Sequence, residues 1–132
     1  MSFPRCLFLV ALLLGFTAPV SAYDAERALA NFADDYAQCT AYYLTSAAGA
    51  ERSGHSDATA QFKEAALRTL TEAIRLSTAE VAAARVELDV LRMATEMQGN
   101  FSNFAILIKR YGLLCKGLLE QPAARLQYWL DR

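Results

Sequence analysis

The side chains able to do chemistry are few, and Cys39 and Cys115 have the clearest role. The chain holds three cysteines. Cys6 falls inside an N-terminal apolar run, which leaves an even pair in the remainder. An even pair in a small exported domain reads as a disulfide. Each of the two lies on the apolar stripe of a predicted helix, one toward each end of the domain. A bridge would close a loop of about 77 residues and remove on the order of 4 kcal/mol of chain entropy from the unfolded state. Two buried free thiols or a redox pair are the competing readings. The CxxC spacing that tunes thiol reactivity is absent.

The other reactive types do not assemble into a catalytic set. His55 is the only imidazole and lies in GAERSGHS, a loop with two glycines. As a general base it would need a nucleophile and an orienting partner, and neither stands at a recognisable spacing. Met93 and Met97 are one helical turn apart, so paired thioethers could hold Cu(I) or supply a haem ligand. Methionine at that spacing more often fills a core, so Met93, Met97 and His55 are only weak metal candidates. No cofactor is expected. Asp34 and Asp35 are sequence neighbours that splay about 100° apart on a helix. They are read as a solvated acidic face rather than a carboxylate dyad. Tyr42 is read as an exposed aromatic and a partner contact. Ile106 and Leu113, among Lys109, Arg110 and Lys116, form a basic-apolar face that could meet an anionic partner or a lipid surface.

The elements that must position these residues begin after residue 22. Arg5, the run CLFLVALLLGF and the small residues Val20-Ser21-Ala22 have the layout of a cleaved secretory signal peptide. Residues 1–22 are therefore set apart, and 23–132 form one domain. An uncleaved N-terminal anchor is the alternative, and no segment of the mature chain is apolar enough to span a bilayer. The 132 residues carry 13 basic and 14 acidic side chains. That balance argues against nucleic-acid binding, which needs a basic excess.

Helical periodicity accounts for nearly all of the domain. Ala25, Leu29, Phe32, Tyr36, Cys39 and Tyr43 repeat at steps of three and four, giving a helix from Asp24 to about Ala48 that Gly49 ends. A second helix starts at Ser56, as N-cap, with Phe62, Ala66, Leu67, Leu70, Ala73 and Ile74 facing the core. Ser77-Thr78-Ala79-Glu80 fits a capping box and a third helix. The alternative fuses the second and third helices into one rod. The third helix carries two apolar stripes: Val81, Ala84, Leu88 and Leu91 on one side, and Ala83, Val86, Val90, Met93 and Met97 on the other. Two stripes imply contact from two sides, so this helix is expected at the centre, flanked by neighbours within the chain or by one neighbour and a partner molecule. Gly99-Asn100 stops it. Asn100-Phe101-Ser102 also fits the N-glycosylation pattern. A fourth helix, capped by Ser102, presents Phe104, Leu107, Ile108, Tyr111, Leu114, Cys115, Leu118 and Leu119, and Pro122 opens a short fifth.

The expectation is thus an all-α, four-helix bundle-like domain with a short extra C-terminal helix and one disulfide. In outline alone it is similar to small periplasmic acid-stress chaperones, and no motif carries a residue role across. The function expected is that of an exported (periplasmic or secreted), non-enzymatic protein. It would act as an interaction or chaperone-like module, binding a protein partner or itself through the second stripe of the third helix or the basic-apolar face of the fourth. A copper- or haem-binding bundle is the alternative.

Overall fold

The computed structural model describes residues 20–132, and the fold is all-α, with no strand among the described residues. The expected leader lies outside the described residues except for Val20–Ala22, which begin the first helix. Helix α1 spans Val20–Arg52, α2 spans Ser56–Leu76 and α3 spans Ala79–Glu96. A 3-10 turn, Phe101–Asn103, leads into a composite fourth helix. This helix, called α4, covers 105–120 and consists of Ala105–Leu107, a π turn over Ile108–Gly112, and Leu113–Glu120. Pro122–Leu130 forms α5, with proline in its first turn.

The centre is α1, not α3. It packs against α2, α3, α4 and α5, and from Phe32 to Ala47 only Asp34 and Leu44 are exposed while Gln38 is half-buried. Small side chains make this enclosure possible. Ala33, Ala37, Ala41 and Ala47 are buried on α1, and Ala37 and Ala41 share one core with Ala66, Ala73 and Ala82. Alanine contributes little to an apolar stripe read from sequence, yet it lets helix backbones approach closely. The predicted centre, α3, buries Ala82, Asp89 and Met93, with Met97 buried at its C-cap, half-buries Val86 and Val90, and leaves its other stripe outside.

Where α1 is enclosed, its polar groups must be satisfied internally. Thr45 and Ser46 each donate to the carbonyl four residues back, both at 2.8 Å. The hydroxyls of Thr40 and Thr69 meet at 2.9 Å across the α1–α2 interface. Thr69 and Thr59, absent from the predicted stripe of α2, are buried, whereas Leu67 and Ile74 are exposed. Packing on small residues pushes the bulkier pair to the rim of that interface.

Helix ends also differ from expectation in instructive ways. Helix α1 runs through Gly49 to Arg52, and the missing side chain serves packing instead of termination. A Cβ at Gly49 would lie 3.1 Å from the Phe101 ring. The second helix is preceded by His55 as N-cap rather than Ser56. Helices α2 and α3 are separate, and Thr78, one residue later than predicted, caps α3 by accepting from the Val81 amide at 3.2 Å. Gly99 follows α3 with φ +68°, a left-handed conformation suited to glycine. Asn100 accepts from the Ser102 amide at 2.9 Å and so organises the 3-10 turn.

Cys39 and Cys115 form a disulfide, both fully buried and 76 residues apart in sequence. It ties the middle of α1 to the second half of α4. Reduction is expected to lower the melting temperature by more than about 10 °C, since the lost constraint is on the order of 4 kcal/mol in a domain of this size. An unchanged melt after complete reduction, monitored by thiol titration, would contradict that role.

Candidate interaction site

The fold brings together a polar clamp that the sequence did not reveal. Asp35 is buried on α1, facing α5, rather than standing on a solvated acidic face. Its carboxylate accepts from Arg125 Nε at 2.6 Å and Nη2 at 3.0 Å, and from Trp129 Nε1 at 2.6 Å. Such bidentate pairing is strong when water is largely excluded. The Arg125 guanidinium also lies 4.4 Å from the Tyr128 ring centroid and 4.8 Å from that of Trp129. Its hydrogen bonds to Asp35 hold Arg125 still more firmly in its charged form. This clamp secures α5, which otherwise offers only Leu126 and Trp129 to the core.

A second set of charges joins α3 to α1 and α4. Asp34 on α1 pairs with Arg85 on α3 at 2.6 Å, while Asp89 pairs with Arg92 within α3 at 2.9 Å. Burial raises the pKa of both carboxyls above the ordinary aspartate value, with the arginines partly opposing it. Glu96 takes Arg110 at 3.0 Å and the Tyr111 hydroxyl at 2.8 Å.

Several sequence candidates change character in this setting. Tyr42 is only 7 % exposed. It stacks with Phe104 at 6.3 Å and sits beside Tyr111, so it is a core aromatic rather than the exposed one expected from the sequence. Burial raises the pKa of its phenol. Met93 and Met97 are buried among apolar side chains of the core. His55 stands exposed between α1 and α2, at the N-cap of α2.

The predicted basic-apolar face of α4 is open. Ile106 is exposed and Leu113 is 86 % exposed, so α5 does not cover them. Two of its cations are engaged by neighbours: Arg110 by Glu96 and Lys116 by Glu120 at 3.9 Å. Lys109 makes no ion pair among the described residues. An apolar groove of about 730 Å³ runs between α1, α2 and α5, floored by Phe32, Tyr36 and Leu118 and edged by Arg68 and Arg75.

Among the described residues, an uncovered apolar stripe runs along α3. Val81, Ala84, Leu88 and Leu91 lie opposite the face that meets α1, and Leu88 and Leu91 are 63 % and 59 % exposed. Single exposed leucines are ordinary, but a row along three turns of one helix marks an interaction surface. No described helix is long and apolar enough to cross a membrane.

The clamp gives a direct test of how α5 is held. Asp35→Asn is expected to cost about 3 kcal/mol, because it leaves Arg125 partly buried without its counter-charge. Trp129 is the only tryptophan, so its emission should shift to the red as α5 loosens. A variant with unchanged stability and unchanged emission would show that the clamp contributes nothing.

Comparison of the chain with protein-family models, with curated proteins and with solved structures finds no match, so the functional reading rests on this geometry.

Proposed function

We propose that the protein is an exported, non-enzymatic interaction module that holds another polypeptide against the outer face of α3. The observation that carries this reading is the uncovered row Val81, Ala84, Leu88 and Leu91. Export is supported by the leader-like layout of residues 1–22 and by a buried disulfide, a bond that persists in oxidising compartments.

The physical case is one of uncompensated surface. Each exposed leucine side chain withdrawn from water contributes roughly 1.5–3 kcal/mol when fully buried. A row of such residues on a regular helix presents that gain in a geometry that a second helix can match. Its neighbours are charged rather than reactive, so the surface suits recognition and not bond-making. The basic-apolar face of α4 offers a second contact area, with fewer apolar residues and with its cations largely engaged.

A photo-crosslinking side chain placed at Leu88 tests this in cells producing the full chain. It is expected to yield a defined adduct with a polypeptide, whereas the same probe at Glu64, an exposed position on α2, should not. Absence of any adduct at position 88, or equal labelling at both positions, would overturn the reading.

A further inference from the structure

The outer stripe of α3 has an internal order that specifies its occupant. Val81, Ala84, Leu88 and Leu91 are spaced three, four and three residues apart, which is the a, d, a, d spacing of a coiled-coil seam. In that register Glu80 and Glu87 take the two g positions, and Arg85 and Arg92 the two e positions. One flank of the seam is therefore acidic and the other basic.

From this order, together with the reading of α3 as the interaction face, we infer that the occupant is a second copy of the same chain. The two α3 helices would lie parallel and in register about a two-fold axis. In a parallel pair each g side chain meets the e' side chain five positions further along the partner helix. Glu80 then faces Arg85 of the second copy, and Glu87 faces Arg92. Both contacts are attractive and both occur twice. An antiparallel pair would set g against g' and e against e', placing glutamate against glutamate and arginine against arginine. The charges thus favour one orientation and penalise the other, which is how coiled coils set partner and direction.

Features of the single chain agree with this arrangement. The stripe is directed away from α1, so a second α3 can approach without displacing any helix. Among the described residues neither Glu80 nor Glu87 makes an ion pair. Arg85 and Arg92 do hold Asp34 and Asp89, at 2.6 and 2.9 Å, but a guanidinium has five donors and these contacts leave several free. They also fix each arginine beside the seam before pairing. Ala84 at a d position keeps the N-terminal half of the seam narrow. Two heptads make a small interface, so the dimer is weak.

Analytical ultracentrifugation of the purified chain up to millimolar concentration tests the inference, together with Ala84→Cys and Leu91→Cys variants. A monomer–dimer equilibrium is expected, weakened at least tenfold in the exposed double variant Glu80→Arg/Glu87→Arg. Both cysteine variants should cross-link to themselves under mild oxidation, because a parallel in-register pair sets each residue against its own copy. The native bridge is fully buried, and an unaltered melt of each variant verifies the fold. A strict monomer at millimolar concentration, self-linking at only one of the two cysteines, or indifference to the charge reversal would overturn it. A monomer whose Leu88 probe still captures a different polypeptide removes the second copy and leaves the interaction module intact. Loss of every Leu88 adduct removes both.

Discussion

Enclosure of one helix by the other four is the constraint on which the structure depends. With α1 in the middle, the outer helices need only one face each to complete the core. A chain with 55 % hydrophobic residues and a single central rod has more apolar side chains than inward positions. The surplus appears on outer faces: Leu67 on α2, Leu88 and Leu91 on α3, and Ile106 and Leu113 on α4. The surface that supports the proposed function is thus a consequence of the packing. Had α3 taken the centre, both of its stripes would be covered and α1 would face solvent.

Enclosure also explains where the polar chemistry sits. Every polar group on α1 that faces a neighbour needs a partner there, because an unsatisfied buried group costs about 1–3 kcal/mol. The threonine and serine hydroxyls use α1's own carbonyls or each other. Asp35 draws on Arg125 and Trp129 from a helix ninety residues away in sequence. The disulfide at Cys39 and the clamp at Asp35 lie one helical turn apart on α1. Together they bind both C-terminal helices to the same stretch of the central rod.

The fold class, the helix boundaries to within a few residues and the cysteine pairing were legible in the sequence, since each rests on local periodicity or on parity. The choice of central helix was not. Hydrophobic stripes weight large side chains, whereas α1 is enclosed through Ala33, Ala37, Ala41 and Thr40, which read as weakly apolar or polar. Tyr42 and Asp35 were assigned to the surface for the same reason: each lies off the main stripe of a helix taken to have only one buried side. The Asp35 clamp pairs residues on distant elements, and no spacing rule connects them. By contrast, the two stripes of α3 are legible in the sequence, and the structure determines which of them is turned outward.

The central claim is that the outward stripe of α3 is covered when the protein works, and covered before any other exposed apolar face. Methyl-resolved NMR of leucine and valine side chains across a concentration series examines this most directly. The account expects the methyl signals of Val81, Leu88 and Leu91 to move together as concentration rises, while those of Leu67 and Leu113 stay in place. Concerted shifts at Leu113 or Leu67 with α3 unmoved would contradict it, because the molecule would then be using a different surface.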